Sequence, residues 1–257
     1  MRHSLIVEKI KLNCKTKRAT GPRIMLKKKK AIILDMNGTF MFGEDRFGDA
    51  EDYSVFYESA GGKLSADVVN ETIRAAYNYL SERYPDERYG YNFPSLEAAI
   101  VNTLNIKLHQ QEIIRLIDTF AFHEHGFIPE DYANALRLLK KYFTLAVVID
   151  IWSPKNRWLN TFEKHGIHEL FSAVSFSSDH GMVKPSPKPF EIVVNELGLS
   201  RDECVVIGDS VRRDLGGATA AGIDCILVGG AVDERALASF TNLLEICMLI
   251  KEEFQVA

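Results

Sequence analysis

Four side chains in this sequence have the types and spacing to share one reaction site. Asp35 closes the apolar run Ala31-Ile32-Ile33-Leu34 and precedes Met36-Asn37-Gly38-Thr39, where Gly38 and Thr39 turn the chain away. Lys184 stands among prolines in the stretch GMVKPSPKPF. Asp209 closes a second apolar run, Cys204–Ile207 with Gly208, and Asp214 follows it in VVIGDSVRRDLGGATAAG. Short apolar runs of this kind read as buried strands that deliver the next side chain to their carboxyl tips. Carboxylates gathered there offer the all-oxygen ligands that Mg²⁺ prefers. A lysine beside them would neutralise charge on Asp35. Each residue alone has a plainer reading: an aspartate capping a turn, or a surface lysine, which is how Lys188 is read.

The elements that must position these residues alternate from residue 129 onward. PEDYANALRLLKK reads as an amphipathic helix, Thr144–Ile149 as a strand and Ala173–Phe176 as another. Ser153 is placed to cap, and Pro154 to open, a helix running toward Gly166. Pro187–Leu197 reads as a helix ending at Gly198, Val211–Ala221 as one ending at Gly222, and Cys225–Val228 as a strand. Alternating apolar strands and helices imply a parallel sheet covered on both faces, with ligands at the carboxyl ends of its strands. Residues 44–125 break the pattern. Ala66–Tyr84, Ser95–Leu104 and Gln110–Phe122 look helical and no strand stands out, so this stretch reads as an all-helical insertion.

Taken together, the four signals over about residues 31–230 resemble the haloacid dehalogenase (HAD) superfamily, phosphatase-like, in the phosphoglycolate phosphatase and β-phosphoglucomutase branch. The resemblance implies an α/β fold: a Rossmann-like parallel sheet core (31–43 and 126–257) with an inserted helical cap (44–125) behind a basic leader (1–30). It implies that Asp35 attacks phosphorus and carries an aspartyl-phosphate. It assigns Lys184 to charge on Asp35 and on the phosphoryl group, and Asp35, residue 37, Asp209 and Asp214 to Mg²⁺. Gly38, Ile149, Asp150 and Lys184 fall around the phosphate. The substrate expected is a small phosphorylated metabolite.

Two letters depart from the family pattern. Asn37 stands where relatives carry the aspartate that protonates the leaving oxygen and later activates water, a role typically worth about 10²–10⁴-fold. Ile149, in LAVVIDIWSP, stands where relatives have a phosphate-binding hydroxyl, and it cannot donate; Asp150 matches the flanking polar residue. Ser153 is a candidate substitute. Two explanations stay open: the chain natively hydrolyses weakly or not at all, or residue 37 was substituted to hold a bound state. The second accounts less well for Ile149. The activity expected is therefore Mg²⁺-dependent phosphomonoester hydrolysis impaired at Asn37. A non-catalytic phosphate- and Mg²⁺-binding or regulatory protein is the alternative. Dehalogenase chemistry fits less well, and phosphonatase chemistry needs a cap lysine, for which only Lys63 and Lys107 are available.

Composition narrows the remaining classes. The apolar and charged fractions, 46% and 26%, are those of a globular protein. No stretch offers the roughly 18 uninterrupted apolar residues of a membrane span. Residues 1–30 hold eleven Lys/Arg and one acid, Glu8, leaving a net charge of −14 on the remainder. A disordered leader or a start at Met25 is favoured over a nucleic-acid or lipid tether, and nucleic acid is not an expected partner. Cys14, Cys204, Cys225 and Cys247 are scattered without a CxxC pair, so free thiols in a reducing compartment, the cytoplasm, are expected. His123 and His125 are read as surface residues leaving the cap rather than as a zinc pair. Seven of the nine tyrosines fall in the cap, either as its core or as a pocket lining. Assembly is expected to be a monomer or homodimer.

Overall fold

The apolar runs become strands because each has two faces to bury. In the computed structural model, which describes residues 26–104 and 108–255, the strands are β1 (Ala31–Leu34), β2 (Thr144–Ile149), β3 (Phe171–Phe176), β4 (Cys204–Gly208), β5 (Asp224–Leu227) and β6 (Ala238–Ser239). They form one sheet in the order β3-β2-β1-β4-β5-β6, parallel throughout. Between β1 and β2 lie α1 (Ser54–Ser59), α2 (Ala66–Arg83), α3 (Leu96–Thr103), α4 (Gln110–Glu124) and α5 (Glu130–Leu139). Helix α6 (Asn156–Lys164) joins β2 to β3, and α7 (Ser177–His180) and α8 (Lys188–Leu197) join β3 to β4. Helix α9 (Gly216–Ala221) joins β4 to β5, and α10 (Leu243–Gln255) closes the chain.

Successive strand residues face opposite ways. Ile32, Leu34, Val147, Ile149 and Ile207 pack with Trp158 and Phe162 on one face. Ile33, Val148 and Val206 pack with Phe190 and Val193 on the other. Burying each such side chain stabilises the fold by roughly 1.5–3 kcal/mol. The strand order reverses between β1 and β4, so the crevice beyond their carboxyl ends is the favoured ligand position of an open α/β sheet. The expected Rossmann-like core is present.

Helices α1–α4 bury their own apolar cluster, built on Tyr53, Tyr57, Val69, Ile73, Leu80, Leu96, Leu116 and Phe120. No strand occurs in this insertion among the described residues. Most cap tyrosines are therefore core, while Tyr91 is exposed. Trp152 and Val183, from the sheet side, pack into the same cluster. Backbone hydrogen bonds from Phe93 to Gly181 (2.7 Å) and from Val183 to Gly90 (3.1 Å) join the cap to the segment preceding Lys184.

Several local expectations are corrected. Helix α6 begins at Asn156 after Lys155, and Ser153 does not cap it; instead the Ser153 backbone N–H donates to the buried Glu124 carboxylate at 3.0 Å. The Val211–Ala221 helix is two pieces. Val211–Leu215 is a wide π-type turn, with Leu215 N–H reaching back to Ser210 at 3.1 Å, and α9 follows. His123 is buried, not a surface residue, and stands 3.6 Å from Glu51. Of the basic segment, Leu26 is buried, while Lys29 and Lys30 pair with Asp224 (2.7 Å) and Glu203 (2.5 Å). Residues 1–25, with Cys14, and Lys107 lie outside the described residues. Cys204, Cys225 and Cys247 are buried free thiols, as expected. No described helix is long and apolar enough to cross a membrane.

Candidate active site

Asp35 leaves the tip of β1 and Asp209 the tip of β4, the two strands that flank the reversal in sheet order. Their approach depends on two close contacts. Gly38 has φ +71°, and a Cβ there would lie 2.3 Å from Asp209 Oδ2. A Cβ on Gly208 would lie 2.3 Å from Asp214 Cγ. Only glycine at both positions lets the turn after β1 and the wide turn after β4 close on each other. The π-type turn explains the spacing of the second pair: it brings Asp214 back beneath Asp209, with Ser210 N–H donating to Asp214 Oδ2 at 2.9 Å.

Lys184 joins the two halves. Its Nζ donates to Asp35 Oδ1 at 2.5 Å, to Asp214 Oδ1 at 2.8 Å and to the Val148 carbonyl at 3.3 Å, and the residue is only 2% exposed. A buried ammonium is tolerated because two carboxylates and a carbonyl replace its water, and Asp214 with Asp35 hold its pKa well above the usual lysine value. Thr39 Oγ1 donates to the second Asp35 oxygen at 3.2 Å. Burial, then the Asp214 charge, push Asp35 up to about 7 against the opposing pull of Lys184. Asp209 is also raised, chiefly by burial.

Two carboxylates therefore share one lysine, and a third lies close beside them. Oxygens of Asp35, Asp209 and Asp214 lie within 4.8 Å of one another. Buried Asn37 Oδ1 and Asp209 Oδ1 have no hydrogen-bond partner. An all-oxygen set with excess negative charge and unsatisfied acceptors suits a hard divalent cation.

The tip of β2 is built differently. The Ile149 side chain is packed into the apolar cluster with Trp158 and Phe162, so it offers phosphate no donor. The polar group there is Asp150, whose Oδ2 accepts the Lys184 backbone N–H at 3.0 Å and the Tyr84 hydroxyl at 2.6 Å. Burial raises the Asp150 carboxyl, and burial with the Asp150 charge raises Tyr84 well above the usual phenol value. Tyr84 follows α2, so this hydrogen bond runs from cap to core.

Sequence reasoning missed several residues. Arg213 stands with its guanidinium 3.5 Å from Asp209 Oδ1, and Arg212 and Arg213 lie 5.5 and 5.9 Å from the Tyr84 ring. Arg46 ties both cap linkers together by donating to carbonyls of Gly43 (3.1 Å), His125 (2.8 Å) and Phe122. Glu44 has a buried, unpartnered Oε2 and a carboxyl raised by burial. Their charge types were legible; the distant carbonyls that hold Arg46 were not. A separate cleft of about 590 Å³ between Asn92–Glu97 and Ser177–Gly181 is lined by none of the four motif residues.

Fold and site together define a Rossmann-like α/β core with an inserted helical cap and a carboxylate cluster at its strand tips. The family model for haloacid dehalogenase-like hydrolases matches residues 29–222, and the chain belongs to that family. It is 26% identical over 173 residues to the pyrophosphatase PpaX of Halalkalibacterium halodurans, covering 63% of this chain and 78% of that protein. It is 24% identical to a glyceraldehyde 3-phosphate phosphatase of Methanopyrus kandleri, covering 76% of this chain and 81% of the relative. In fold it is similar to a 2-haloacid dehalogenase from Pseudomonas syringae, with a TM-score of 0.58, 20% identity, and coverage of 88% of this chain and 99% of that one. The phosphatase-type HAD resemblance read from the motifs is borne out.

Proposed function

We propose that the chain is a Mg²⁺-dependent phosphomonoester hydrolase acting on a small phosphorylated metabolite through an aspartyl-phosphate on Asp35. The observation that carries this reading is the contact of Lys184 Nζ with both Asp35 and Asp214, beside Asp209. The relatives named as a pyrophosphatase and as phosphatases point to the same class of chemistry. Asp35, Asp209, Asp214 and the backbone carbonyl of Asn37 would hold Mg²⁺, whose charge would offset that of the phosphoryl group. Lys184 orients the Asp35 carboxylate and shares its charge, so one oxygen is presented in a fixed direction. The Gly38 turn and Asp150, through its bond to the Lys184 backbone, shape the pocket for the phosphoryl oxygens. The cap would exclude water during transfer. Asn37 keeps the shape of an aspartate without its proton, so hydrolysis proceeds without the usual acid/base.

Hydrolysis of 4-nitrophenyl phosphate with and without Mg²⁺, by this chain and by Asp35→Asn, tests the proposal. Mg²⁺-dependent release that disappears in the variant supports it. Release that survives Asp35→Asn would place the nucleophile elsewhere.

A further inference from the structure

If phosphoryl transfer runs through Asp35, as proposed above, the groups around it restrict what can leave. We infer that the site takes phosphoryl donors whose leaving group departs as a stable anion, a phosphoric or carboxylic–phosphoric anhydride, in preference to alkyl phosphate esters.

In the first step an Asp35 oxygen forms a bond to phosphorus, and the bond from phosphorus to the leaving oxygen breaks with its electron pair on that oxygen. An alkoxide formed this way is a strong base and must be protonated as it departs. Asn37 has no acidic proton to give. Lys184 Nζ is committed to two carboxylates and the Val148 carbonyl, so it has no free direction toward a leaving oxygen. Tyr84 donates to Asp150 and is likewise pinned. The remaining carboxyl to consider is Glu44, whose buried Oε2 has no partner, and it is tested separately below. An anhydride avoids the problem, because a phosphate or carboxylate leaves without a proton.

What such an anion needs is positive charge. In-line departure from Asp35 runs away from the β1 tip toward the cap, and there the rim carries Arg213 beside Asp209, with Arg212 and Arg213 both against the Tyr84 ring. Guanidinium groups stay protonated at any working pH, so they stabilise charge without transferring a proton. In the second step water attacks phosphorus and the bond to Asp35 breaks with its electrons returning to the carboxylate. Both water protons leave on dihydrogen phosphate. Without a base at residue 37 this step is the slow one, and the phosphorylated enzyme accumulates.

The test compares pyrophosphate, acetyl phosphate and glycerol 3-phosphate as donors with Mg²⁺, for this chain and for Asn37→Asp. The readouts are kcat/KM and the intact mass of the protein during turnover. The expected result is that the anhydrides exceed glycerol 3-phosphate by about 10²-fold or more, with one phosphoryl group added to the protein. Asn37→Asp should narrow that ratio by raising the alkyl ester. The better of the two anhydrides tells phosphate from carboxylate as leaving group. Glycerol 3-phosphate within a few-fold of the anhydrides in the unaltered chain overturns the inference and leaves the proposed hydrolase standing; loss of that activity in Glu44→Gln would then assign the acid to Glu44. If Asn37→Asp is also inert on all three, the hydrolase reading fails and this inference falls with it. Arg213→Gln should raise KM for pyrophosphate about tenfold, an effect of about 1.4 kcal/mol, and an unchanged KM would overturn the role given to Arg213.

Discussion

The tips of β1 and β4 and the tip of β2 solve different problems within a few residues of one another. At β1 and β4, Asp35 and Asp214 converge on Lys184 with Asp209 close beside them, an arrangement whose excess negative charge wants a cation. At β2 the apolar Ile149 is packed away, and one Asp150 oxygen ties the cap hydroxyl of Tyr84 to the backbone of Lys184 while its other oxygen is buried without a partner. In the proposed reaction the first region would carry the attack at phosphorus. The second carries a tie between cap and core and offers no hydroxyl donor. The charged cluster and the cap–core tie thus sit side by side at one end of the sheet.

The contrast can be broken first at its centre. Asp35→Asn should abolish phosphorylation of the protein, checked by intact mass, while thermal stability changes little or rises because a raised carboxyl is removed. Lys184→Met leaves Asp35 and Asp214 facing each other in a buried site. Breaking such a pair typically costs about 3–5 kcal/mol, so denaturant unfolding should show the largest stability loss in this series. At β2, Tyr84→Phe removes a hydrogen bond to a buried carboxylate, worth about 1.5–3 kcal/mol. Trp152 packs against Tyr84 with ring centroids 5.6 Å apart, so its fluorescence should report cap loosening in that variant and not in Asp35→Asn.

A pH-dependent effect separates the cap linker from both regions. Glu124 is buried, accepts backbone N–H groups of Trp152 (2.6 Å) and Ser153 (3.0 Å), and is pushed by burial from 4.5 up to about 7. Its folded state binds the proton more tightly than the unfolded chain. The resulting stability is present in full below about pH 4.5 and is lost as pH rises through about 7. Up to about 3 kcal/mol is involved, and Glu124→Gln should flatten this part of the pH–stability curve measured by urea unfolding.

How much of this was legible in the sequence follows from the range of each interaction. The strands were readable because Ala31–Leu34 and Cys204–Gly208 are apolar throughout, as a sheet covered on both faces requires. Helices α8 and α9 end at Gly198 and Gly222, where the turn chemistry is local. The motif residues Asp35, Lys184, Asp209 and Asp214 could be listed from spacing, although the wide turn that brings the last two together could not. Short α1 carries too few turns for a periodic signal. Ser153 looked like a cap because local rules saw no competitor; Glu124, from the end of the cap, takes its backbone N–H instead. Tyr84 and Arg46 have roles set by partners far along the chain, Asp150 and the His125 carbonyl, and no local pattern marks them.

Attack by Asp35 is expected to survive both Asn37 and Ile149. The most direct measurement is a rapid-mix time course of 4-nitrophenyl phosphate with Mg²⁺, comparing this chain with Asn37→Asp. The account expects a burst of about one equivalent followed by slow turnover in the first, and steady release faster by about two orders of magnitude or more in the second. Equal and negligible release from both, with Mg²⁺ still bound, would contradict it and leave a protein that binds at this site without turning over.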